Sequence, residues 1–182
     1  MDKRKYLDLI ALLMISVFVI SASAAVYYSL SMESEITVGT TWVKFVNAAD
    51  TPAAATVEDS YCSLPLITYP NATVTYEHVV GLNNTDGSDP HSVRLRHDSV
   101  TPYSHPDVGN FTSITFYLLD ASNNTQTTFE YNQTSNTWNI PSTTGYYSIP
   151  PGTEWFIKVE TVSPAGAQSG VDCTIVIAID VQ

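Results

Sequence analysis

From residue 25 onward, apolar and polar positions alternate in short runs, and apolar residues almost nowhere recur at helical spacing. Runs rich in Val, Ile, Thr, Tyr and Phe are separated by clusters of Asn, Gly, Pro and Asp. They predict strands at 25–33, 35–46, 56–63, 72–80, 92–98, 112–119, 126–132, 136–140, 145–149, 153–161 and 172–181. The last run is the clearest. Cys173, Ile175, Ile177, Ile179 and Val181 fall on one face, Asp172, Thr174, Val176, Ala178 and Asp180 on the other, so the first face is expected in the core. Trp155, Ile157 and Val159 alternate in the same way with Phe156, Lys158 and Glu160, as do Val93 and Leu95 with Arg94 and Arg96. Turn residues collect at 81–91, 99–110, 120–125 and 162–170. With no repeat or linker in between, residues 35–182 are expected to form one all-β domain, a jelly roll or related β-sandwich, with very little helix.

The first residues read differently. Lys3, Arg4 and Lys5 precede an apolar run from Leu9 to Ile20, followed by Ala22-Ser23-Ala24. A basic head, an apolar stretch and small residues at alternate positions predict a secretory signal at 1–24, cleaved after Ala24, and hence an extracellular protein. Two other readings stay open: an uncleaved membrane anchor, since no charge occurs from Leu9 to Met32, and a type IV pilin leader.

Composition narrows the partners. Beyond Ala24, four basic residues (Lys44, Arg94, Arg96 and Lys158) face sixteen acidic ones, a net charge of −12. Such a field repels phosphate backbones, so nucleic acid is not an expected partner. Cys62 and Cys173 are the two cysteines, and export predicts a disulfide between them. It would close a loop of about 112 residues, worth roughly 4–5 kcal/mol in the chain-entropy description. Asn-x-Ser/Thr triplets occur at Asn71, Asn83, Asn110, Asn123 and Asn132, which predicts N-linked glycans.

Chemistry is sparse. The chain has no GxSxG, HExxH or CxxC and no phosphate-cradling glycine loop, and a non-enzymatic role is expected. Asp86, Asp89, His91, His97 and His105 form a weak candidate cation site, in which calcium ranks ahead of zinc because carboxylates dominate; no cofactor is otherwise expected. His78, isolated beside Glu77, is expected to be a surface or edge residue. Scattered tyrosines leave carbohydrate binding or adhesion as an alternative function.

The segment 25–34 carries the main functional expectation. Val26, Tyr28, Leu30 and Met32 lie on one side of an extended chain, which is either the first strand of its own sheet or a strand meant for a neighbour. Burying those four side chains contributes roughly 6–12 kcal/mol before ordering costs. A donor strand and its acceptor are different surfaces of the same chain, so such a contact propagates into a filament unless it closes. The order Ala24-Ala25-Val26-Tyr27-Tyr28-Ser29, then Ile36-Thr37-Val38-Gly39, then Ile149-Pro150-Pro151-Gly152-Thr153-Glu154-Trp155 and Ile175-Val176-Ile177-Ala178-Ile179 resembles the TasA/camelysin-type matrix fibre proteins and similar archaeal bundling pili. The resemblance implies a jelly-roll subunit that polymerises by passing residues 25–33 into the next copy. The cysteine pair, the five sequons and the long loops at 81–110 depart from that pattern and fit an archaeal surface filament better than a bacterial matrix fibre.

Overall fold

A computed structural model describes residues 42–168 and 171–182. The expected leader 1–24, the segment 25–34 with Val26, Tyr28, Leu30 and Met32, and the start of the run 35–46 lie outside the described residues.

The described chain is all-β. Strands β1 (Val43–Val46), β4 (Thr73–Asn84), β6 (Ser113–Leu119), β7 (Thr125–Thr134), β8 (Thr137–Asn139) and β10 (Glu154–Val162) form an antiparallel sheet in the order β1-β4-β10-β6-β7-β8. A smaller antiparallel sheet has the order β11-β5-β9, from β5 (His91–Thr101), β9 (Tyr147–Ile149) and β11 (Thr174–Val181). β2 (Thr56–Glu58) and β3 (Tyr61–Ser63) make a separate two-stranded ribbon, and a single 3-10 turn spans Pro106–Asn110.

Alternation along the strands becomes burial. In β10, Trp155, Ile157 and Val159 are buried while Phe156, Lys158 and Glu160 turn outward. Leu82, Leu118, Phe129 and Tyr131 from the large sheet meet Val93, Leu95 and Ile149 from the small one in a single core. His97 Nδ1 lies 2.9 Å from the Tyr131 hydroxyl, a polar link between the two sheets inside that core.

Three departures from the sequence expectation have local causes. The run 56–63 is two strands, because Asp59-Ser60 makes a turn that pairs Glu58 with Tyr61. β5 continues past Asp98 to Thr101 because its register against β11 shifts there, pairing His97 with Ile177 and Ser99 with Val176. The bulge restores inward orientation, so Val100 joins Val93 and Leu95 in the core. β4 runs on through Gly81 to Asn84, residues that read as turn formers. A Cβ at Gly81 would collide with the Glu154 carboxylate and stand 2.7 Å from Val46 Cγ2, so the strand needs glycine there for close packing. Asn84 is fully buried, and its side-chain nitrogen donates to the carbonyls of Asp89, Ile149 and Pro150 at 3.0–3.2 Å. A buried amide satisfied this fully stitches the loop before β5 to the end of β9.

Two substitutions test this packing by urea unfolding. Leu118→Ala, at a position with no exposure, is expected to lower stability by about 2–5 kcal/mol. Gly81→Ala is expected to lower it by about 1–3 kcal/mol through overpacking.

Candidate assembly groove beside the last strand

β11 is held by β5 alone among the described residues. Its inward residues pair one for one with the core of β5: Ile175 with Val100, Ile177 with His97, Ile179 with Leu95 and Val181 with Val93. Val93 and Leu95 are sealed from water, at 0% and 1% exposure, yet their partners are not. Ile175, Ile177 and Ile179 are half-buried and Val181 is 39% exposed. The expectation that the whole face lies in the core is therefore corrected. The large sheet covers β5, but among the described residues no strand pairs with the far side of β11 to finish the cover.

A second stretch of half-buried apolar residues follows the two-stranded ribbon. Past the ribbon, Cys62, Leu64, Leu66 and Thr68 alternate as half-buried positions with exposed Ser63, Pro65, Ile67 and Tyr69. Cys62, Leu64 and Leu66 pack on the core cluster, and the Tyr76 hydroxyl fixes the segment by donating to the Ile67 carbonyl and accepting from its N–H, both at 2.9 Å. A hollow of about 130 Å3 lies between Val43, Phe45 and Leu82 of the large sheet and Ile179 and Val181 of β11, with Asp59 and Ser60 from the ribbon turn. The indole N–H of Trp138, a residue 1% exposed, is turned toward the sulfur of Cys173, just ahead of β11. An unsealed isoleucine stripe on an edge strand marks a core with room for further cover.

No protein-family model and no curated protein matches the chain. Among the described residues no helix is long and apolar enough to cross a membrane.

The other expected site residues do not converge. Cys62 and Cys173 are separate thiols, so the expected disulfide is absent from the structure. Both cysteines pack against one core cluster, as the alternation implied. Burial pushes each thiol up to about 11, with the Trp138 indole offsetting part of the effect at Cys173. The three candidate histidines go to three places. His91 Nε2 lies 3.1 Å from the Asp86 carboxylate, His97 faces Tyr131, and His105 pairs with Asp107 at 2.9 Å. Asp86 accepts from the backbone N–H groups of Ser88 and Asp89, a loop-closing role, and these bonds and His91 hold its carboxyl below the usual range. Among the described residues no three metal-ligating side chains gather. Of the sequons, Asn71, Asn123 and Asn132 are exposed, whereas Asn83 and Asn110 are half-buried, and the Asn110 amide donates to the Asp107 carbonyl at 2.9 Å.

A feature the sequence did not single out fixes β11 from outside. Asp180 accepts from Arg94 Nε at 2.9 Å and Arg96 Nε at 3.2 Å, and the Arg94 guanidinium also stands 4.7 Å from the centre of the Tyr146 ring. Two like charges, Arg94 and Arg96, two residues apart on one face of β5, with an Asp on the partner strand, were the available signal. Arg96 first and Arg94 second hold the Asp180 carboxyl below its ordinary value. A carboxyl depressed by folding stabilises above its unfolded value, about 3.9, and that contribution disappears as pH falls through the lower folded value. Asp180→Asn is therefore expected to reduce the urea midpoint at neutral pH, and the gap to the parent chain is expected to close as the pH is taken below about 3.9.

Proposed function

We propose that this protein is a non-enzymatic subunit of an extracellular filament, exported by its leader and joined to the next copy when residues 25–33 of one molecule enter the groove beside β11 of another. The observation that carries this reading is the unsealed Ile175, Ile177 and Ile179 face on an edge strand. An extended segment gains main-chain hydrogen bonds along such an edge, while alternate side chains fill the apolar space. Val26, Tyr28, Leu30 and Met32 have the spacing and chemistry for that role.

In this reading the small sheet receives a fourth strand and the domain becomes a completed jelly roll. The exposed Tyr61, Ile67 and Tyr69 side chains, each more than half accessible, extend the contact beyond the inserted strand. The resemblance of the leader and strand order to matrix fibre and bundling-pilus subunits supports the same reading.

Electron microscopy of the chain trimmed to Ala25 is expected to show fibres, and deletion of residues 25–33 is expected to give monomers. A synthetic peptide of residues 25–33 is expected to bind those monomers and to cap growth of the intact protein. A trimmed protein that remains a stable monomer, with the segment protected from proteases in its own fold, overturns the filament reading.

A further inference from the structure

The outer face of the large sheet, away from β11, carries a second hollow of about 430 Å3. That volume lies within the range of small-ligand clefts, roughly 300–1,000 Å3. One wall is aromatic and apolar, from Tyr117 and Leu119 of β6. The other is charged. Lys158 of β10 pairs with Glu77 of β4 at 2.9 Å, and its ammonium stands 5.5 Å from the centre of the Tyr117 ring. His78 stacks on Phe156 with ring centres 4.3 Å apart, which fixes the plane of its imidazole.

The edge of this hollow is a glycosylation sequon. Asn123 and Thr125, the first and third residues of Asn123-Asn124-Thr125, both line it. Asn123 sits at φ 64° in the tight turn between β6 and β7, and Asp120 holds that turn by accepting from the backbone N–H groups of Ser122 and Asn124 at 2.8 and 2.9 Å. His78 Nε2 lies 2.7 Å from the Asn123 side-chain oxygen. With the oxygen engaged, the amide nitrogen is the atom that remains, and it is the atom through which an N-linked sugar is attached. Asn71 and Asn132, the other exposed sequons, line neither hollow.

We propose that this hollow seats a pyranose ring, and that the occupant is the first sugar of a glycan carried by Asn123 of the same chain. A pyranose presents C–H groups on one face and hydroxyls around its rim. The C–H face packs on Tyr117 and Leu119, and the hydroxyls accept from Lys158 and donate to Glu77. The glycan thereby becomes part of the sheet surface. This inference rests on the reading of the chain as exported and glycosylated, and it is independent of strand exchange.

The test compares the full chain secreted by its own cells with the same chain made in cells lacking N-glycosylation, each with and without Tyr117→Ala. Mass spectrometry of the secreted protein is expected to find a sugar on Asn123. Thermal unfolding is expected to show that Tyr117→Ala lowers Tm by roughly 2–4 °C more in the glycosylated form than in the bare one. An equal effect in both forms overturns the proposal, as does a bare Asn123 in protein whose Asn71 or Asn132 carries sugar. Absence of sugar at all five sequons overturns it together with the glycosylation reading. Tyr117-dependent binding of free N-acetylglucosamine to the bare chain at micromolar concentration assigns the seat to glycans of other molecules, which also overturns it.

Discussion

Three isoleucines on β11 leave part of their surface in water, and each Å2 so exposed forgoes about 25 cal/mol of burial. Most of what surrounds them is arranged around that deficit. β5 is sealed on its inner face, so the small sheet has a firm anchor. The bulge at Asp98 keeps the inward register of β5 matched to that of β11, residue for residue, and the Arg94–Asp180–Arg96 cluster holds the two strands together from outside. An edge strand with an incomplete cover would fray if it depended on its apolar face alone. Pinned from outside, β11 keeps its shape while its inner face is only half covered.

The strands were legible because most of them have one wet face and one dry face. β10 is the clearest case: Trp155, Ile157 and Val159 could be assigned inward from their spacing, and they are inward. Sequence reasoning lost accuracy where backbone geometry, not hydrophobicity, decides the outcome. Gly81 and Asn84 have the composition of a loop but belong to β4, one for lack of a Cβ and the other because three carbonyls converge on its amide. Asp98 and Ser99 break the alternation, and only the pairing with β11 shows that a bulge resumes it.

The groove was half legible. The apolar stripe on β11 is plain in the sequence, but whether such a stripe is covered depends on which other segment lies across it, and periodicity carries no information about that. The histidines show the same limit. His91, His97 and His105 are close along the chain, yet they sit at the start of β5, at its inward middle and before the 3-10 turn, where Asp86, Tyr131 and Asp107 engage them separately. The outer-face hollow was invisible because Glu77, Tyr117, Asn123 and Lys158 come from three strands and a turn that only the sheet order brings together.

The ion pairs carry a consequence for crowding. Lys44 is matched with Asp59 and Lys158 with Glu77, while Arg94 and Arg96 share Asp180, so every Lys and Arg among the described residues has an acidic partner in its own molecule. The surplus of carboxylates then faces outward uncompensated. Two copies approaching one another meet like charge over a Debye length of about 8 Å at physiological salt. Electrostatics thus opposes unspecific association of copies, and dissolved cations are the natural means of relieving it.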